Sequence, residues 1–556
     1  MSRSLFRTGG FRRLDSLPTE ILVEILSLLD APEIATCRLL CRRFDDIVCS
    51  NARLQYPIHL ELANCVDDHP DHPSPVGVRL KRLLARQEAW KAQDFRKKRQ
   101  LSSSTVSHTP SASAYRSGVL VFGVLNHTLL HPAIQPQVAD ILGLMYINEL
   151  HVLFLHGAGH DLDHRRHSIV DPGGFSDFEL EPSQDLLVLW DSYSPAPDGL
   201  RLRFLSLHEG TRHKRAKTYD MVIPATHFYP VGGRPEDLWI FDMNSIQLNG
   251  ELVSIYAVEG HRILVLNWVT GYSWSVPGSS CCTLSKDCLI VANCRCNPPH
   301  FDVYRITYSV EPPTISHVRR TNLPRVQEGV MRSIDCKPSP SSHASTSAVS
   351  SEKRAVPFST APDSAMVVFN FRLRVPDTSL AEPDKQLALL CYTPEILSAV
   401  RSHVPKTPER RLGIKVVEWE RWGPNSSFFL GDVTNDDNVW SYALYGYRLM
   451  LNGTIYDFNP HTVKSATTMA EGREGDGPGS MHICKGTSFE DARWFVEKIQ
   501  TNRPYLWAPI QDSKVPASTS CFLVDEDILA LEDATESNSE QVVITQLTVG
   551  PEWDAC

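Results

Sequence analysis

Five cysteines, Cys281, Cys282, Cys288, Cys294 and Cys296, fall within sixteen residues, a density that raises the question of a metal. Zinc needs thiolates presented tetrahedrally, and short zinc loops achieve this with Cys-x-x-Cys pairs. No such pair is present here. Cys288 and Cys294 flank a strand-like run whose ends point apart, so the spacing indicates reduced structural thiols. His156, His160, His164 and His167, with Asp161 and Asp163, carry imidazole and carboxylate ligands but match no helix-face pattern such as His-Glu-x-x-His. They read as a polar loop between strands. Gly157 and Gly159 lack the later glycine of a dinucleotide loop. Around Ser480, Gly477-Pro-Gly-Ser-Met-His482 has no glycine two places after the serine, as a nucleophile elbow requires. Asp432 to Asp437 has acidic spacing without the glycine of a calcium loop. No residue set is assigned a catalytic, cofactor-binding or metal-ligating role.

The elements around these residues follow from the whole chain. Its 556 residues exceed one ordinary domain, and 42% apolar content can supply sizeable cores. A net charge of −10 gives no general reason to expect nucleic acid or an anionic membrane as partner. The basic start, Met1 to Arg13, has no apolar run, so no secretory signal is expected. The longest apolar stretch, Val138 to Leu155, is broken by Asp140, Asn148 and Glu149, and no membrane span is expected. These features suggest a protein of the cytoplasm or nucleus with free thiols.

The most ordered pattern lies near the N-terminus. Leu14 to Leu29 reads as a helix with Ser16 available as a cap, Pro18 in the first turn and Glu20 favoured by the helix dipole. Leu17, Ile21, Ile25 and Leu28 form one stripe, and Leu22, Leu26 and Leu29 a second beside it. Together they are wider than one small packing contact needs, so one face must enter a large core or meet a partner. Asp30 and Glu33 around Ala31-Pro32 have capping-box spacing and open a second helix, with Ile34, Cys37 and Leu40 inward. Cys41-Arg-Arg-Phe44 leads to a third, ending near Val48. Three short helices in so few residues bury too little surface to stand alone.

Leu17-Pro18, Glu20-Ile21-Leu22, Ile25-Leu26-Ser27, Leu40-Cys41-Arg42 and Phe44 occur in the order of an F-box, and Leu14 to about Ser50 resembles that family. Glu33-Ile34 stands where Asp-Leu is frequent and Phe44 where Trp is frequent. The resemblance implies docking on a Skp adaptor and, through it, on a cullin scaffold. It implies a non-catalytic substrate adaptor of an SCF-type cullin–RING ubiquitin ligase. Leu17, Pro18, Ile21, Leu22, Ile25, Leu26, Leu40, Cys41 and Phe44 would form the Skp-binding set, with Leu22, Leu26, Pro18 and Leu40 on its open surface. Residues 51–101 read as a helical connector in which Arg79 to Arg99 is one basic helix, with Leu80, Leu83, Leu84, Gln87, Trp90 and Phe95 roughly on one face. Leu54-Gln-Tyr56 and Arg86-Gln-Glu-Ala-Trp90 resemble a layout found in fungal F-box proteins. Phe95-Arg-Lys-Lys-Arg99 reads as a solvated basic face rather than a nuclear signal or nucleic-acid patch. Residues 102–114, rich in Ser, Thr and Ala, read as a flexible linker.

Beyond it the texture is β. Ten of the eleven tryptophans lie after Ala114. Strand-like runs recur between Gly, Pro and Asp clusters, including Gly118–Leu125, His151–Leu155, Leu186–Trp190, Leu200–His208, Met366–Phe371, Leu387–Tyr392 and Trp440–Tyr447. Glu251 to Val276 reads as three strands with turns at Glu259-Gly260 and Thr270-Gly271, most of a propeller blade. Asp287–Asn293 and Phe301–Tyr308 begin another. The expected fold is therefore multidomain, a helical F-box at 14–50 and an all-β, propeller-like domain over 115–556. Eight or more blades would fit if all of it were blade, a count that the long loops lower; a large β-sandwich or paired sheets is the alternative, since no strict repeat is visible. Residues 337–364 are expected to be a disordered loop, and Ser488 to Gln500 a helix. Trp239, Trp422 and Trp507, near turns, are the candidates for substrate contact, with acidic loops Asp432–Asp437 and Glu471–Asp476 suited to a basic segment. A second reading is a β-domain enzyme or scaffold on which the N-terminal helices merely pack. The two readings differ in whether the apolar face of Leu17 to Leu29 is open.

Overall fold

The computed structural model describes residues 14–67, 73–102, 112–116, 119–125, 147–154, 166–191, 199–224, 246–256, 262–338, 358–361, 365–374, 385–401, 414–431, 443–451, 453–470, 481–510, 520–524, 527–533 and 542–549, with 70 and 227 besides. The chain divides into two units: residues 1–94 with 356–360, and residues 95–355 with 361–556.

The first unit is helical. A 3₁₀ turn at Leu14–Ser16 precedes α1 (Thr19–Leu26), followed by α2 (Ala31–Cys37), α3 (Arg42–Ser50), α4 (Ala52–Ala63) and α5 (Val76–Ala92). The first helix is shorter than expected. It starts behind Pro18, which has no amide hydrogen to leave unpaired, and ends in a turn where Ser27 Oγ donates to Glu24 O at 2.8 Å. The capping box of α2 is present: Glu33 N donates to Asp30 Oδ1 at 2.9 Å, and Asp30 N to Glu33 Oε2 at 3.2 Å. Leu22, Leu26, Ile34, Phe44, Ile47, Val48 and Leu54 make the small core of α1 to α4. A second core joins Tyr56, Leu60, Leu80 and Leu83 to Phe358. Phe358 arrives on a returning strand, Phe358–Thr360, that pairs antiparallel with Cys65–Asp67. The interval 337–364 is therefore not loop throughout: its first residues end the strand Met331–Pro338, and 358–360 are strand.

The basic helix also ends early. Gln93 adopts φ 50, a left-handed cap, and Phe95–Ser102 is a strand paired antiparallel with Val542–Val549. The strand Ala112–Arg116 takes in residues 112–114 at the end of the expected linker, while 103–111 lie outside the described residues.

Among the described residues the second unit holds seven sheets of four or five strands, with one two-stranded pair besides. Sheet 1 runs Ala112–Arg116, Val119–Leu125, Ile147–Phe154, Arg166–Phe175. Sheet 2 is Asp177–Glu181, Leu186–Asp191, Gly199–Ser206, Asp220–Pro224, and sheet 3 is Ile246–Asn249, Leu252–Tyr256, Arg262–Asn267, Ser273–Pro277. Sheet 4 comprises Ser280–Ser285, Cys288–Asn293, His300–Thr307 and Thr314–Asn322, edged by the parallel strand Lys415–Val417. Sheet 5 is Met331–Pro338, Met366–Leu373, Lys385–Tyr392, Ser427–Leu430. Sheet 6 orders Ala443–Tyr445, Arg448–Leu451, Thr454–Asp457, Tyr505–Pro509 and His482–Cys484. Sheet 7 joins Ser520–Val524, Asp527–Asp533 and Val542–Val549 to Phe95–Ser102.

Within each of sheets 1 to 4 the four main strands are successive in sequence and antiparallel, which short turns permit. The turn at Thr270-Gly271 shows why the local sequence folds this way: Asn267 Oδ1 accepts from the amides of Val269 and Thr270, and Gly271 takes φ 82. The other expected turn, Glu259-Gly260, lies outside the described residues. The first strands lie side by side in chain order from sheet 1 to sheet 5, and those of sheets 6 and 7 adjoin. Ser488 to Gln500 is not a helix. It is two short paired strands, Thr487–Phe489 and Ile499–Thr501, whose connection puts Phe495 and Trp494 into the core of sheets 4 and 5.

Candidate partner-docking surface

Side chains one residue apart on a helix point about 100° apart, so the two stripes of α1 face different directions. The structure assigns them. Leu22 and Leu26, of the second stripe, have essentially no exposed surface and hold α1 against α3 and α4. Ile21 is 48% exposed, Leu28 86%, and Ile25 is half-buried. Leu14, Pro18, Ile21, Ile25 and Leu28, at spacings of four and three, form the outward line, and all but Ile25 are exposed. After α2, Leu39 and Leu40 are 86% and 66% exposed.

The expected Skp-binding set is thereby divided. Pro18, Ile21 and Leu40 are exposed, and Leu17, Ile25 and Cys41 are half-buried. Leu22, Leu26 and Phe44 are core residues, which corrects the placing of Leu22 and Leu26 on the open surface. These three pack in the unit's own core, beneath the outward line. Leu14, Leu28 and Leu39 are open apolar residues outside that set. The four-and-three spacing through Leu14, Pro18, Ile21, Ile25 and Leu28 was a usable signal for the first two; Leu39 sits in a turn, where no period applies.

Polar contacts fix the frame of this surface. Arg43 Nη2 donates to Leu17 O at 2.5 Å, holding the chain before α1. Arg53 pairs with Glu24 at 2.5 Å, and Arg38 with Asp45 at 2.9 Å. The hydrogen bond from Arg38 holds the Asp45 carboxyl below its ordinary range, and the bond to Asp45 raises the neighbouring Cys49 thiol. Three arginines of α5, Arg79, Arg82 and Arg86, are buried rather than solvated. Arg79 pairs with Asp67 at 2.6 Å and lies over the Tyr56 ring, and Arg86 lies over Phe358.

The weak substrate candidates fare differently. Trp422 is buried, donates from Nε1 to Asn322 O at 2.8 Å and meets Phe301 edge-on, so it is a core residue. Trp507 is half-buried beside the His482 ring. Trp239 and the acidic loops Asp432–Asp437 and Glu471–Asp476 lie outside the described residues, as do His156, His160, His164 and Ser480. Among the described residues no group of three or more His, Cys, Asp and Glu could hold a metal, and no helix is long and apolar enough to cross a membrane. Cys281, Cys282 and Cys288 are buried, Cys294 is half-buried and Cys296 is exposed.

A polar network runs between the first strands of the sheets. Arg116 of sheet 1 pairs with Glu181 of sheet 2 at 2.8 Å and donates to Leu248 O of sheet 3 at 3.1 Å. Gln247 of sheet 3 donates to Cys336 O of sheet 5 at 2.8 Å, and Asn249 to Thr283 O of sheet 4 at 2.7 Å. Desolvation raises the Glu179 carboxyl, with the charges of Arg116 and Lys337 opposing. The bonds from Arg116 to sheet 3 and from Gln247 to sheet 5 each skip one sheet.

Residues 14–60 match the F-box-like family model. No curated protein matches the chain. Among solved structures, Hsv2 of Kluyvelomyces marxianus is 8% identical with a TM-score of 0.32, over 77% of this chain and 93% of that one. The tricorn protease is 8% identical with a TM-score of 0.32, over 82% of this chain and 35% of that one. Hydrazine synthase of Kuenenia stuttgartiensis is 9% identical with a TM-score of 0.32, over 72% of this chain and 92% of that one.

Proposed function

The chain carries an F-box-like domain at residues 14–60, and from that premise we propose that it is a non-catalytic substrate adaptor of an SCF-type cullin–RING ubiquitin ligase. The helical unit docks on a Skp adaptor, which links it to the cullin, and the β unit holds the protein to be modified. The observation that carries this reading is the outward line Leu14, Pro18, Ile21 and Leu28 with Leu39 and Leu40, apolar side chains left in water beside a complete core. Exposed apolar residues gathered on one small unit favour a protein partner. The alternative, in which these helices only pack on the sheets, would leave that line without a protein partner.

The β unit is read as a closed seven-bladed propeller. Support comes from the seven successive sheets, the side-by-side first strands and the bonds that skip a sheet. It also comes from the early strand Phe95–Ser102, which completes the last sheet and so joins the two ends of the unit. Such pairing is how a ring of sheets avoids free edges. Loops on a rigid ring suit protein capture, and cytoplasm or nucleus is where the adaptor would act.

Affinity purification of the full chain followed by mass spectrometry tests the proposal. The intact chain should recover a Skp adaptor, a cullin and candidate targets. A chain bearing Ile21→Asp and Leu28→Asp should keep the targets and lose the adaptor and cullin. Equal recovery of adaptor and cullin by both chains would refute the reading.

A further inference from the structure

Cys282 in the first strand of sheet 4 and Cys336 in the first strand of sheet 5 are both fully buried, and their Sγ atoms stand 2.8 Å apart. Unbonded carbon atoms already keep about 3.5–4.0 Å, and sulfur is the larger atom. A disulfide, by contrast, needs about 2.05 Å. The separation is therefore too short for two resting thiols and is within about 0.8 Å of a bond. A shared zinc does not explain it. Two thiolates at about 2.3 Å from one tetrahedral ion stand roughly 3.8 Å from each other.

We propose that Cys282 and Cys336 form a disulfide in the folded protein when a hydroperoxide is present, stapling sheet 4 to sheet 5. One sulfur, as thiolate, attacks a peroxide oxygen; the O–O bond breaks, leaving a sulfenic acid and one water. The second sulfur attacks the sulfenic sulfur, the S–S bond forms, the S–O bond breaks, and the hydroxyl leaves with a proton as a second water. Two thiols have lost two electrons and two protons, and hydrogen peroxide has become two waters. The staple lies within the β unit and is independent of docking by the helical unit.

The chemistry sets the tempo. Burial holds the Cys336 thiol well above its ordinary value, so thiolate is scarce and the reaction is slower than at an exposed low-pKa cysteine. Exposed Cys49 and Cys296 are the internal comparison, and Cys281 and Cys391, near Cys336, are the competing partners. The bond would close a loop of about fifty residues, which in the chain-entropy account restrains the unfolded state.

Full-length protein is incubated with hydrogen peroxide, blocked with N-ethylmaleimide under denaturing conditions and digested without reductant. The expected product is a cross-linked peptide pair containing Cys282 and Cys336, lighter by two hydrogens than the separate peptides and released by dithiothreitol. The unfolding midpoint of the oxidised protein should rise by roughly 5 °C, and Cys336→Ala should abolish that rise. Recovery of Cys282 and Cys336 as alkylated thiols, sulfinic acids or disulfides to other cysteines, once Cys296 is oxidised, would overturn the proposal. The peptide map uses the wild-type chain, so it decides the matter even where Cys336→Ala misfolds.

Discussion

Ile21 and Leu22 are neighbours of similar size, yet one is 48% exposed and the other has no exposed surface. The sequence made both stripes of α1 legible, but which of them faces inward depends on where α3 and α4 lie, and periodicity carries no such information. The same limit explains Trp422. A large ring near a turn suits a binding anchor, but its indole N–H found a buried carbonyl, Asn322 O, 100 residues away. These assignments separate two kinds of mutant. Leu22→Ala should lower stability by about 2–5 kcal/mol, because it opens a cavity in a small core. Ile21→Asp should shift stability by no more than about 0.5 kcal/mol, as surface changes do. It should weaken adaptor binding by about 2 kcal/mol, roughly thirtyfold. Urea titrations and calorimetric binding of the two variants check this directly; similar stability losses would show the stripes to be wrongly assigned.

At the scale of elements, local patterns are legible where the decisive bonds are local. The Asp30–Glu33 capping box and the Thr270-Gly271 turn are each closed within a few residues. Phe95–Arg99 has the composition of a helix because Arg and Lys favour helices, whereas its partner strand, Val542–Val549, lies more than four hundred residues on. Ser488–Gln500 carries a cap-like Ser and Asp, but pairing of Thr487–Phe489 with Ile499–Thr501 overrides it. Sheet 4 offers a test by pH. Burial alone would raise the Asp302 carboxyl, but hydrogen bonds from His317 and Arg320, with their charges, hold it at about 2. A carboxyl depressed on folding adds stability above its unfolded value, near 3.9, and loses that contribution as pH falls through the folded value. The wild type should therefore melt above Asp302→Asn at pH 7, with the gap narrowing below pH 4 and closing near pH 2. A gap that is constant over this range would remove the ion pairs as its cause.

For the whole molecule, two units of helical and β character were legible, but their boundary was not. Composition placed it in the Ser/Thr-rich stretch 102–114, whereas the chain changes unit between Asp94 and Phe95 and returns to the helical unit at 356–360. A strand that completes a distant sheet leaves no compositional mark. A β fragment beginning at Tyr115 would lack Phe95–Ser102 and leave Val542–Val549 with an unpaired edge. The fragment 95–556 should thus melt higher than 115–556 and aggregate less, both with β-type circular dichroism. Equal melting would deny the strand its closing role. The sequence shows no strict repeat, so the seven larger sheets seen among the described residues could not be counted from it. Whether the helical unit is a docking element is decided by titrating purified full-length chain with a purified Skp adaptor in a calorimeter. Saturable binding is expected for the wild type and for Cys336→Ala, and none measurable for the folded Ile21→Asp, Leu28→Asp double variant. No binding by the wild type, or undiminished binding by that double variant, would contradict the docking role.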